Sequence, residues 1–153
     1  MVSTYTVLLA LHLLCAVLWV GGSGTLHVLG RIAQNSGDRQ RMLQFSKDAE
    51  YIGPRLYAPL SLGLLIFGIL LVNEVGYDHS DLWITLAYVG WLSSFVIGIA
   101  FYPRAARRRD AILEQDGLES DKFLENYVQT ATISMVELTI LLLVVVDMAI
   151  KPG

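Results

Sequence analysis

Four long stretches of this chain carry no Asp, Glu, Lys or Arg, and they fix its fold class before any motif is read. They run over Met1–Gly30, Leu56–Asn73, Leu82–Pro103 and Asn126–Val136, the last resuming beyond Glu137 over Leu138–Val146. A bilayer core is about 30 Å thick and takes about 20 mostly apolar helical residues to cross. Inside it only helices and closed barrels satisfy every backbone N–H and C=O. These runs are too long and too uniformly apolar for barrel strands, which alternate. The sequence therefore predicts an all-α integral membrane protein. One antiparallel four-helix bundle fills residues 1–153, with spans at about 5–29, 54–73, 82–103 and 127–150. Charged residues make up 16% of the chain, against about a quarter in soluble domains.

The charges that remain are segregated. Arg31, Arg39, Arg41, Lys47 and Arg55 follow the first span. Arg104, Arg107, Arg108, Arg109 and Lys122 follow the third. The 74–81 turn has no basic residue, and Lys151 stands alone at the far end. The positive-inside rule then puts both basic loops in the cytoplasm and both termini outside. No basic arm is interleaved with aromatics, so no nucleic-acid partner is expected. The first span lacks a basic leader and is longer than a signal-peptide core, so it reads as a retained span. Between the first two spans, Met42, Phe45, Ala49 and Ile52 recur at helical spacing opposite Arg39, Arg41, Lys47 and Asp48. This predicts an amphipathic helix lying on the membrane surface or on its neighbours. Gly53-Pro54 is expected to break the chain there, and Pro59 to kink the second span. Ser80 or Asp81, and then Ser120, are the expected helix caps, and Gly117 the expected stop.

At about 100° per residue, His12, Trp19, Ser23 and Gly30 fall on nearly one line of the first helix. That line is the expected contact face for the other helices and for any ligand. Ionisable groups inside a span are costly and hence candidates for function. His12 lies about 10 Å inside the first span, and imidazole is a common haem and copper ligand. The alternative is a histidine hydrogen-bonded between helices. His27 lies about 22 Å further along the same axis, at the boundary, and His79 lies in the outer turn. No other span contains a histidine. A second axial ligand to a metal on His12 would be Met148, Met135, water, His79 or a second copy of the chain.

Glu137 stands near mid-membrane, about 15 Å from the start of its span, with Thr130 and Ser134 on the same face. A carboxylate there is expected to be protonated, or paired with His12 or Arg55. Proton relay, cation site and structural hydrogen bond all remain open for it. Arg55, Tyr57, Tyr102 and Arg104 gather at the basic boundary, either to clamp an anionic group or to anchor the spans. Asp147 and Lys151, i and i+4, are expected to form an interfacial ion pair. Gly21, Gly22, Ser23 and Gly24 would admit close helix packing or a flat macrocycle. Cys15 is the only cysteine, so neither an intrachain disulfide nor a cysteine metal cage is possible. There is no phosphate-cradling loop, no serine or cysteine triad and no hydrolytic carboxylate pair, and no enzymatic reaction can be assigned.

The stretches LHLLCAVLWVGG, YIGPRLYAPLSLGLLIFGILLV and DMAIKPG resemble the bacterial predicted integral membrane proteins of domain of unknown function 2269, with GPRLYAP and the final KPG as the more specific parts. That resemblance implies a bacterial cytoplasmic membrane location and brings no established activity. The first span is also similar to a wider group, the membrane domain of copper-resistance protein D and the HemJ-type protoporphyrinogen oxidases. It implies His12 as a haem ligand. The HemJ type also uses a lysine on a later helix, which spans two and three lack. Three functional expectations follow. The first is a protein that binds haem b or a metal ion for electron transfer or cofactor handling. Here His12 is the axial ligand, Trp19 and Ser23 shape the pocket, and Arg55 pairs with a propionate. The second is a proton or cation transport component working through Glu137. The third is a non-catalytic subunit or scaffold, acting as a homo-oligomer or with a partner in the lipid bilayer.

Overall fold

A computed structural model describes residues 3–151; Met1, Val2 and the Pro152-Gly153 half of the KPG motif lie outside the described residues. The regular structure among these residues is entirely helical. Four helices are each long and apolar enough to cross a membrane: α1 (Thr4–Asn35), α2 (Arg39–Val75), α3 (Leu82–Gln115) and α4 (Asp121–Ile150).

The helices outrun the predicted spans because the polar segments continue them. Gly53-Pro54 does not break the chain. The amphipathic segment and the second span form one helix through a π turn at Gly53–Tyr57. A second π turn, Ile97–Phe101, joins the two halves of α3. Both have the same cause. A proline has no N–H and its ring collides with the carbonyl four residues back. Those carbonyls are Arg55 for Pro59 and Ile99 for Pro103, and each lies at the centre of its π turn. Widening the helix by one residue makes room for the ring without ending the helix.

The ends follow local chemistry. Asp38 Oδ1 accepts from the N–H groups of Gln40 and Arg41 at 2.9 and 3.1 Å. Ser120 caps α4 by accepting from Phe123 N–H, as expected. Asp81 takes the cap position of α3 without a side-chain bond, and the Ser80 hydroxyl is donated to Asp78 Oδ1 at 2.8 Å instead of capping the helix. Gly117 adopts φ +82° and its N–H returns to the Ile112 carbonyl at 3.1 Å, so the expected stop is found there. Such a left-handed position suits a residue without Cβ.

Two cores close the molecule at its ends. At the basic end, Ala33, Met42, Leu43, Ile112, Phe123 and Tyr127 pack together. The amphipathic segment thus buries its apolar face on α1, α3 and α4. In the same region Arg109, 5% exposed, binds Glu50 at 2.7 Å and Asp110 at 2.8 Å. Burial alone would lower the basicity of its guanidinium, but the hydrogen bonds it donates to Glu50 and Asp110 outweigh this and hold its pKa above the ordinary arginine value. At the other end Val72, Trp83 and Ile84 form a smaller cluster with Tyr88 and Met148. The expected Asp147–Lys151 pair does not form. Lys151 follows α4 in a left-handed conformation, and this turns its ammonium onto Tyr77 Oη at 3.2 Å and over the rings of Tyr77 and Trp83.

Between the cores the helices associate in pairs. The Ala58–Val75 half of α2 lies along α1, and the Leu82–Val96 half of α3 lies along α4, whereas these two halves scarcely touch each other. Gly90 lets α3 approach α4: a Cβ there would collide with Val144 Cγ2.

Candidate functional site

A cavity of about 730 Å³ occupies the space between the helix pairs. All four helices supply its walls: Trp19, Ser23, His27 and Gly30 from α1; Tyr57 and Ser61 from α2; Ser94, Phe95 and Tyr102 from α3; Asn126, Thr130, Ser134 and Glu137 from α4. Both π turns border it, through Arg55 and Tyr57 on one side and Gly98 and Ile99 on the other. The GPRLYAP stretch is the first of these turns with its proline.

Glu137 is the polar centre of the cavity. Ser94 Oγ donates to its Oε1 at 3.0 Å, and Tyr102 Oη donates to its Oε2 at 2.5 Å. Ser94 is 1% exposed. Of the alternatives the sequence left open for Glu137, pairing with His12 or Arg55 is not found, and it joins no ion pair among the described residues. Arg55 is turned away, one helical turn toward the basic end. Its Nη1 donates to the Tyr51 carbonyl at 3.1 Å, and its guanidinium covers the Tyr51 ring at 3.8 Å. A further polar group is left over: Ser61 Oγ, on the cavity wall, is buried with no hydrogen-bond partner.

The exposure of the lining is uneven. Trp19 of α1 and Tyr127 of α4 are only 4% and 6% exposed, whereas Tyr51 of α2 and Ile99 of α3 are each 62% exposed. These last two stand near the π turns of the two helices whose apolar halves scarcely touch.

The first-helix stripe divides. Trp19, Ser23 and Gly30 line the cavity, but His12 sits higher, where α1 is packed on α2. Its Nδ1 donates to the Leu64 carbonyl at 3.0 Å, and a Cβ on Gly68 would lie 3.1 Å from its ring. His12 is not a wall of the cavity, and Met135 is 58% exposed on another face. Met148 is packed in the Trp83 cluster, and His79 is held by Tyr88 Oη at 2.8 Å and Asn73 Oδ1 at 3.0 Å. The cavity is therefore not the space in which a group ligated by His12 would sit. Among the described residues no group of three or more His, Cys, Asp or Glu is placed to hold a metal ion. Of the small-residue patch, only Gly22 is needed for close approach, since a Cβ there would lie 2.9 Å from Tyr57 Oη, whereas Gly21 and Gly24 have open space.

Ser94, Tyr102 and Ser61 were not legible as partners of this site. Ser94 and Ser61 are polar residues within charge-free runs, which is a weak signal. Tyr102 is aimed by the π turn before it, which the sequence pattern does not reveal.

Residues 6–152 match the model of the family described as predicted integral membrane protein, domain of unknown function 2269. No curated protein and no solved structure matches the chain. With four helices suited to crossing a bilayer and a family match over nearly its whole length, the chain is a multi-pass integral membrane protein and belongs to this family.

Proposed function

We propose that this protein binds an amphipathic small molecule within the membrane, with Glu137 anchoring the polar end of the ligand. Its four helices are read as an antiparallel bundle in a bacterial cytoplasmic membrane, basic loops inside and both termini outside, as the positive-inside rule directs. One observation carries the reading: a cavity of about 730 Å³ whose walls are mostly apolar and aromatic and which holds a carboxylate, Glu137, without a basic partner among the described residues. Binding sites for small molecules have this character, with a concave apolar surface and few convergent polar groups. The apolar walls suit a ligand that partitions into lipid. The test is binding of an environment-sensitive apolar dye to the purified protein in detergent. The wild type is expected to bind saturably, and Ala131→Phe, on the cavity wall, to bind weakly. Equal, unsaturable uptake by both would end the proposal.

A second reading is supported by the polar groups that lead from Glu137 through Ser134, Thr130 and Asn126 toward Glu50 at the basic end. They would let Glu137 exchange a proton or small cation with that side. This reading expects flux in proteoliposomes that Glu137→Gln abolishes, and unchanged flux in that variant would remove it.

A further inference from the structure

We infer that the ligand of the Glu137 cavity is an organic cation, a monovalent amphiphile with an apolar body; this rests on the proposed binding function and names its substrate class. Two features of the site carry the inference. The first is charge. Among the described residues Glu137 forms no ion pair, and the hydrogen bonds it accepts come from the neutral hydroxyls of Ser94 and Tyr102. A carboxylate in a low-dielectric site is costly until a positive charge accompanies it. The basic wall residues do not supply that charge: Arg55 is folded back on Tyr51, Lys47 belongs to the amphipathic segment at the basic end, and His27 forms no ion pair with Glu137.

The second feature is the aromatic lining. Trp19, Tyr57, Phe95, Tyr102 and Tyr127 border the same space, and aromatic faces attract cations within about 6 Å. They equally accommodate an apolar body, but they repel an anion. A bare inorganic ion would leave the apolar walls unused.

The experiment uses the full chain purified in detergent, with isothermal titration of two isosteric probes, tetraphenylphosphonium and tetraphenylborate. The wild type is expected to bind the cation and not the anion. Glu137→Gln, which keeps the size of the side chain, is expected to weaken cation binding by about tenfold or more, as loss of a buried charge partner does. Ala131→Phe and, from the opposite wall, Ser23→Leu are expected to abolish it. Thermal unfolding of each variant shows that it is folded. If both probes bind alike, if the anion alone binds, or if Glu137→Gln leaves cation affinity intact, the cation class is overturned. In those cases the cavity reading still stands provided the filling variants lose binding. If folded filling variants bind as the wild type does, the cavity reading itself is overturned. If neither probe binds while the apolar dye does, the cation class is again overturned.

Discussion

Tyr102 Oη on α3 donates to Glu137 Oε2 on α4, so this cavity carboxylate is held from across a helix contact. Ser94, two turns earlier on α3, holds the other oxygen. The arrangement fixes the carboxylate in one orientation, with its remaining lone pairs toward the cavity. Replacing Tyr102 by Phe removes one donor and leaves the acceptor. A hydrogen bond to a charged group contributes about 1.5–3 kcal/mol, so Tyr102→Phe is expected to lower unfolding stability by an amount of that order. Ser94→Ala should act in the same direction. Unfolding in mixed micelles measures both, and a Tyr102→Phe protein as stable as wild type would show that the bond contributes nothing.

Pro103 sets the position of Tyr102. The π turn over Ile97–Phe101 exists because residue 103 cannot donate to the Ile99 carbonyl. Alanine at 103 restores that donor and allows an ordinary α-helix. The helix would then lose its bulge, and Tyr102 would rotate away from Glu137. Pro103→Ala is expected to weaken probe binding, with the regained backbone hydrogen bond offset by loss of the Tyr102–Glu137 bond, so that the unfolding midpoint moves little. Unchanged binding in the folded variant would separate the π turn from the cavity.

The existence of the four helices was legible because a charge-free run of sufficient length permits little else in a membrane protein. The face bearing Trp19, Ser23 and Gly30 was legible too, from angular spacing alone. What spacing does not give is depth of packing. His12 shares the angle of Trp19, yet α1 is pressed on α2 at Gly68 and the space opens only further along. The continuity of α2 through Gly53-Pro54 was not legible either. A proline reads as a break, and whether a helix ends or widens at it depends on the packing of both sides. Glu137 stood out by its cost, but its partners are neutral hydroxyls on another helix, and no local pattern in the sequence marks them.

Gly90 carries the contact between α3 and α4. A Cβ there would meet Val144 Cγ2, a branched side chain with little freedom to turn. Alanine favours a helix over glycine by about 1 kcal/mol, but overpacking of this kind costs about 1–3 kcal/mol. Gly90→Ala is therefore expected to destabilise, and Gly90→Ala with Val144→Ala to recover part of the loss. A single variant more stable than wild type would show that the helices separate freely.

The outer turn carries a pH dependence. Ser80 N–H and Oγ both donate to Asp78 Oδ1, at 2.9 and 2.8 Å, and these bonds hold the Asp78 carboxyl below the ordinary aspartate value. A depressed folded-state pKa means that the contribution is complete above the ordinary value and is lost as pH falls through the depressed one. Amide exchange of the 78–81 turn should therefore accelerate only in acid below that range, and Asp78→Asn should remove the acid step. An acid step that persists in Asp78→Asn would assign it elsewhere.

His12 provides the sharpest separation between structural and functional roles on α1. Its Nδ1 bond to the Leu64 carbonyl joins α1 to α2 outside the cavity. The cost of losing such a bond is about 1 kcal/mol, and the Leu64 carbonyl lies in the middle of a helix. His12→Ala is accordingly expected to lower stability slightly and leave probe affinity unchanged. Trp19→Ala removes a wall that is 4% exposed and should reduce both stability and affinity. Reduced-minus-oxidised absorption spectra of wild type and His12→Ala should coincide. A Soret band in the wild type that disappears with His12 would restore the haem ligand to the first helix and displace Glu137 as the working residue.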